Sequence, residues 1–177
     1  DFLNKMIDFY YTSGCDRSDL YASASEQVYA VNPSHESAYK LARLFVVKED
    51  YEKATEYYKE AATAEVEQET KAQYYYELAQ VVRVQGETCQ SIEYAREAVK
   101  NNPDYGDAYL LLGDLYIESR EALGEDFEVR TAFWAAADKY IKAKNVDASK
   151  TDAANKRLSD YAGQYPDAEA CFFRSLK

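Results

Sequence analysis

The chain has 177 residues, 47% of them hydrophobic and 30% charged, which is enough apolar content for a folded core and too little bias for disorder. A formal net charge of −11 with no Lys/Arg run argues against a phosphate backbone or a basic membrane-surface helix as the contact. No stretch approaches the roughly 20 apolar residues of a membrane span, and 6 Gly with 3 Pro are too few for the turns of an all-β fold.

Apolar residues recur at helical spacing almost throughout, so the elements are expected to be helices joined by short turns. The chain opens on Asp1 rather than Met, as a processed or excised segment would. Residues 1–33 read as a degenerate helix pair, with Ile7 and Tyr11 as the core of the first helix. Leu20, Ala24 and Val28 serve the second, and Pro33 closes the pair. Residues 34–68 form a clearer pair. Ser34 is the expected N-cap, Ala38, Leu41, Ala42 and Phe45 line the first helix, and Ala54, Tyr58 and Ala61 the second.

The same pattern returns over 69–104 as Tyr75, Leu78, Ala79 and Val82, then Ser91, Ala95 and Ala98, with Pro103 as the stop. It returns again over 105–148 as Tyr109, Leu112, Gly113 and Tyr116, then Ala136, Tyr140 and Ala143. This last copy carries 11 extra residues within 117–129, expected to extend the first helix, turn, and open a new helix with Asp126 as N-cap. Residues 149–177 are expected to cap the array. A helix over 151–165 sets Ala154, Leu158, Tyr161 and Ala162 on one face, Pro166 breaks it, and Asp167 starts a short helix through Phe172, Phe173 and Leu176.

Tyr75 and Tyr109 lie 34 residues apart, and the copy at Ala38 stands 37 residues before Tyr75. A small residue faces an aromatic in each pair, so that two helices approach closely and the ring fills the gap beside them. On these residues the chain resembles the tetratricopeptide-repeat (TPR) family. The resemblance implies an all-α, right-handed superhelix of antiparallel helix pairs, a single solenoid domain with capping helices, and a role in binding proteins or peptides. The run from Phe133 to Tyr140 and the ending from Tyr165 through Phe173 are further similar to the C-terminal part of exported bacterial TPR proteins. That narrower likeness implies the back half of a longer chain, in the periplasm or cell envelope; without it a cytoplasmic place stands equally open.

Little else points to chemistry. Nucleophilic triads need a histidine, and the only one, His35, sits at a helix start between Ser34 and Glu36. Cys15, Cys89 and Cys171 are scattered, with no local ligand spacing for a metal. No phosphate-binding or dinucleotide-binding glycine motif is present, so no cofactor is expected. The 32 acidic residues leave a carboxylate-based glycan hydrolase as an outlying alternative, but most fall on polar helix faces.

In TPR proteins the first helices of successive repeats line a concave groove. Mapped onto this sequence, that groove would hold Tyr39, Arg43, Tyr76, Gln80, Arg83, Leu110 and Asp114. Tyrosine and arginine are frequent interface hot spots, and they bury large area at low entropic cost. The expected function is therefore a scaffold that buries a peptide on Tyr39 and Tyr76, with Arg43 and Arg83 pairing to a carboxylate or a carbonyl. One TPR subclass clamps the C-terminal carboxylate of chaperones with lysine, asparagine and arginine. The matching positions here include Tyr39, Arg43, Gln73 and Glu77, without the lysine or the asparagines, so chaperone-tail binding is not expected. The partner would be a protein or peptide, not nucleic acid or bilayer, and the chain a monomer or weak homo-oligomer. The structural alternative is a segment of a longer solenoid, or a self-assembling surface, with an idle groove.

Overall fold

The computed structural model describes residues 2–124, 126–166 and 171–172. They form two compact units, 1–101 and 102–177. Among the described residues all regular structure is helical.

The first unit holds α1 (Phe2–Thr12), α2 (Asp19–Val31), α3 (His35–Val47), α4 (Tyr51–Ala64), α5 (Gln68–Val84) and α6 (Thr88–Asn101). Each helix packs on its neighbour in the chain, and the short turns make consecutive helices antiparallel. Local sequence sets the boundaries. Ser34 accepts from the Ser37 amide at 3.2 Å while the Ser37 hydroxyl accepts from the Ser34 amide at 2.8 Å, a reciprocal cap at the start of α3. Ser18, Asp50 and Glu67 cap α2, α4 and α5 by accepting from backbone amides of the first turn. Glu49 (φ 59°) and Gly86 (φ 83°) stop α3 and α5 in left-handed conformations.

The repeated core positions are filled as expected. Ala54, Tyr58 and Ala61 are buried on α4, and Ser91, Ala95 and Ala98 on α6. Ser91 is polar yet fully buried because its hydroxyl donates to the Ala79 carbonyl at 2.8 Å. The first pair departs from expectation by one residue. Tyr21 is fully buried, whereas Leu20 is 58% exposed. Tyr11 is exposed too, its ring lying beneath the Arg43 guanidinium instead of in the core. A tyrosine, with more area to bury than a leucine, has taken the inward register of α2.

The second unit holds α7 (Gly106–Glu118), a 3-10 turn (Arg120–Leu123), α8 (Asp126–Val146), a 3-10 turn (Ala148–Lys150), α9 (Thr151–Tyr161) and a last 3-10 turn (Ala162–Gln164). The extra residues do not lengthen the first helix of the pair, as the sequence suggested. α7 stops at Glu118, the turn follows, and Gly124 at φ 99° leads into α8. Gly113 lets α7 meet α8, because a Cβ there would fall against the Tyr140 ring. α9 is shorter than expected and leaves Ala162 exposed, but Ala154 is fully buried and Leu158 and Tyr161 pack on the same core. The Arg130 guanidinium donates to the carbonyls of Gln164 and Tyr165, fixing the chain just before the buried Pro166. The expected start of a last helix at Asp167, and its Phe173 and Leu176, lie outside the described residues.

Candidate peptide-binding groove

Within the first unit, α3 and α5 present Tyr39, Arg43, Tyr76, Gln80 and Arg83. Arg43, Tyr76 and Gln80 line one cleft of about 470 Å³, together with Val46 and Val84 and with Tyr11 at its edge. Val84 is 63% exposed, so part of the cleft wall is apolar surface in contact with water. Arg83 is half-buried on the last turn of α5 and does not line this cleft.

Tyr39 stands beside the cleft and is tied into its floor. Its hydroxyl donates to Glu77 Oε1 at 2.8 Å, and the Tyr58 hydroxyl donates to Glu77 Oε2 at 2.8 Å. The Gln73 amide donates to the Tyr39 hydroxyl at 3.1 Å and to Glu77 Oε1 at 3.2 Å. Tyr39 also stacks on Tyr74, with ring centres 4.4 Å apart and planes 22° from parallel. Burial, then the Glu77 charge, pushes both the Tyr39 and Tyr58 phenols well above their ordinary value, so both remain donors across the physiological range.

Arg43 lies directly over the Tyr11 ring and more distantly over that of Tyr39, 5.4 Å from its centre. Its Nε and Nη2 are shielded from solvent and meet no hydrogen-bond acceptor. The cleft thus combines rings, branched aliphatic side chains and one unsatisfied guanidinium edge.

Leu110 and Asp114 belong to the second unit. Leu110 is only 6% exposed and packs in the core with Ile117, Phe133 and Tyr140. Asp114 accepts from Arg157 Nε and Nη2, both at 2.8 Å, and from the Tyr140 hydroxyl at 2.9 Å. Burial, then Asp114, pushes the Tyr140 phenol up.

Glu77, Tyr11 and Arg157 take part in these arrangements although the sequence did not mark them as site residues. Glu77 and Arg157 each directly precede a leucine of the core pattern, Leu78 and Leu158. A lone charge at the border of an apolar face is the signal that could have found them.

His35 Nδ1 approaches Glu65 Oε2 to 2.9 Å, an ion-pair distance without hydrogen-bond alignment. Glu65 is 4% exposed, and its other oxygen accepts from the Val66 and Glu67 amides, so the pair braces the turn between α4 and α5. Among the described residues no group of His, Cys, Asp and Glu could hold a metal ion, and no helix is long and apolar enough to cross a membrane.

Residues 76–125 match the family model described as tetratricopeptide repeat. No curated protein matches the chain. Among solved structures, a crystal structure of MamA protein is similar at 19% identity and TM-score 0.65, covering 85% of this chain and 74% of that one. PilF of Pseudomonas aeruginosa is similar at 16% identity and TM-score 0.59, covering 97% and 79%. A Podosopora anserina protein of nearly identical TPR-like repeats is similar at 16% identity and TM-score 0.56, covering 92% of each chain. At such identities the likeness carries the fold and not the partners. The repeat spacing and the buried small-and-aromatic helix pairs agree with these likenesses: residues 76–125 match a tetratricopeptide repeat, and the chain has an all-α fold of the tetratricopeptide-repeat type.

Proposed function

We propose that the chain binds an extended or helical peptide segment of a partner protein in the cleft of the first unit, and that it performs no catalysis. The observation that carries this reading is the composition of the cleft. Tyr76, Val46 and Val84 offer apolar area, while Gln80 and Arg43 offer donors in the same 470 Å³. A mostly apolar concavity with a few placed polar groups is the ordinary form of a ligand site. Tyr39, Tyr58 and Glu77 make its floor rigid, which lowers the ordering cost of binding.

The test is an affinity capture from source-cell lysate with the native chain beside Tyr76→Ala and Gln80→Ala chains of unchanged helical circular dichroism. A partner held by the native chain and lost by both variants supports the cleft. Equal retention by all three moves the binding site elsewhere on the molecule.

A second reading, self-assembly, draws on the first helix pair, where Phe2, Phe9, Leu20 and Val31 are 77%, 64%, 58% and 81% exposed. Light scattering over a concentration series separates the two. A chain that remains monomeric at high concentration counts against self-assembly.

A further inference from the structure

The cleft of the first unit continues into a smaller hollow of about 190 Å³, with Asp16 and Val47 lining both. The turn between α1 and α2, the first turns of α2, and the end of α3 with the turn that follows it wall this hollow. Its apolar walls are Ala22, Leu44 and Val47, and its acidic ones are Asp16, Asp19 and Glu49. Pockets that hold a whole ligand begin at about 300 Å³, so this volume suits one long side chain.

The acids of the hollow are open to a partner. Asp19 and Glu49 are exposed and Asp16 is half-buried, and among the described residues none of them enters an ion pair or a side-chain hydrogen bond. The cations beside them do not neutralise them. Lys48 is held by Glu26 at 3.1 Å, and Arg17 is one exposed charge against several. The Tyr21 hydroxyl, fully buried and without a hydrogen-bond partner, lies near enough to Asp16 to feel its charge. A lysine or arginine side chain matches this lining, because its aliphatic stem rests on apolar surface while its charged head stays with the carboxylates at the mouth. An acidic side chain would meet like charge there, and a short one would leave the apolar walls in water.

We propose that this hollow receives a lysine or arginine side chain of the bound peptide, its stem against Ala22, Leu44 and Val47 and its head at Asp16, Asp19 and Glu49; this rests on the cleft being the peptide site. The partner segment is then cationic at one position and apolar where it crosses Val46 and Val84 of the cleft. The sign agrees with the net charge of −11, which draws a cationic partner in and makes its association sensitive to salt. Net charge alone gives no preference for the length of the stem, whereas a hollow with apolar walls does.

The experiment uses the full chain and a randomised peptide array, acetylated and amidated, whose central position holds lysine, norleucine or diaminopropionic acid. Norleucine keeps the stem without the charge, and diaminopropionic acid keeps the charge without the stem. The native chain should retain lysine peptides over norleucine peptides by about fivefold, the upper end for a partly exposed ion pair, and added salt should shrink that margin. The margin over diaminopropionic acid should be at least as large, since the longer stem buries more methylenes. Asp16→Asn with Glu49→Gln should bring the lysine-to-norleucine ratio close to one and leave norleucine peptides bound as before. Glu69→Gln with Glu93→Gln removes the same charge at exposed positions that do not line the hollow, and should leave the ratio intact. Ala22→Leu fills the place of the stem and should erase the margin over diaminopropionic acid. Equal retention of the three centres, lysine no better than diaminopropionic acid, or an equal fall in the ratio for both double variants at unchanged helical circular dichroism overturns the hollow and leaves the cleft standing. Capture of no peptide by the native chain overturns both.

Discussion

The carboxylate of Glu77 on α5 joins two tyrosines of the preceding helix pair, and the bond to the Tyr58 hydroxyl is as short as the one to Tyr39, 2.8 Å in each case. An ionised acceptor shared between buried phenols favours their protonated form. The consequence for pH has a definite sign. Tyr39, Tyr58 and Tyr140 have folded pKa values raised above the ordinary value of 10.0. Their contribution to stability is therefore fully present below about pH 10 and is lost progressively as pH climbs towards the folded values. Of the 18 tyrosines, those on the surface should ionise first. Tyrosinate absorbance near pH 10 to 11 should leave a residual fraction that appears only together with loss of helical circular dichroism. Complete ionisation while the helices persist would contradict the buried assignment.

Removing the shared acceptor should be costlier than removing one donor. Glu77→Ala leaves two phenols without their acceptor, at an expected loss of about 2 to 3 kcal/mol in urea unfolding. Tyr39→Phe removes a single hydroxyl and leaves Glu77 its other partners, at an expected loss of about 1 kcal/mol. The double variant should fall short of the sum, since the two residues act on one bond. Strict additivity would show that the bond contributes nothing.

The ordering of the core was legible in the sequence and the division of labour among polar residues was not. Ala54, Ala61, Ala95 and Ala98 are fully buried as their spacing required, because close helix approach tolerates only small residues there. Gly113 followed from the same rule. Tyr39 and Asp114 show where pattern reading ends. A position on a helix face sets which way a side chain leaves the backbone, but the partner of a hydroxyl or carboxylate lies on another helix, 38 residues away for Tyr39 and 43 for Asp114. The exchange of Leu20 for Tyr21 has a similar origin. Two adjacent apolar residues compete for one inward position, and helical periodicity alone does not rank them.

Arg157 should matter to stability because it completes the second unit. Asp114→Asn keeps the shape and removes the charge, so Arg157 loses its counter-ion and Tyr140 a strong acceptor. The pair is partly exposed, at 32% for Arg157 and 20% for Asp114, which screens it. The expected loss is about 1 to 2 kcal/mol, read from thermal unfolding. Added salt should shrink the difference between native and variant chains. A salt-independent difference would assign the effect to the Tyr140 hydrogen bond alone.

Gly113 gives the sharpest test of packing, since the change it needs is a single methyl group. A Cβ there lies against the ring of Tyr140, which is itself only 1% exposed and held at its hydroxyl by Asp114. Gly113→Ala should therefore destabilise the fold by about 1 to 3 kcal/mol, although alanine is the better helix former by about 1 kcal/mol. Gly113→Leu should be worse. The sign of the alanine variant decides between the two effects. If propensity prevails and the protein gains stability, α7 and α8 are separated more widely in solution than Gly113 and Tyr140 imply. If the chain loses stability while keeping its helical signal, the ring of Tyr140 is held against the α7 backbone, and the same contact fixes the hydroxyl that it gives to Asp114.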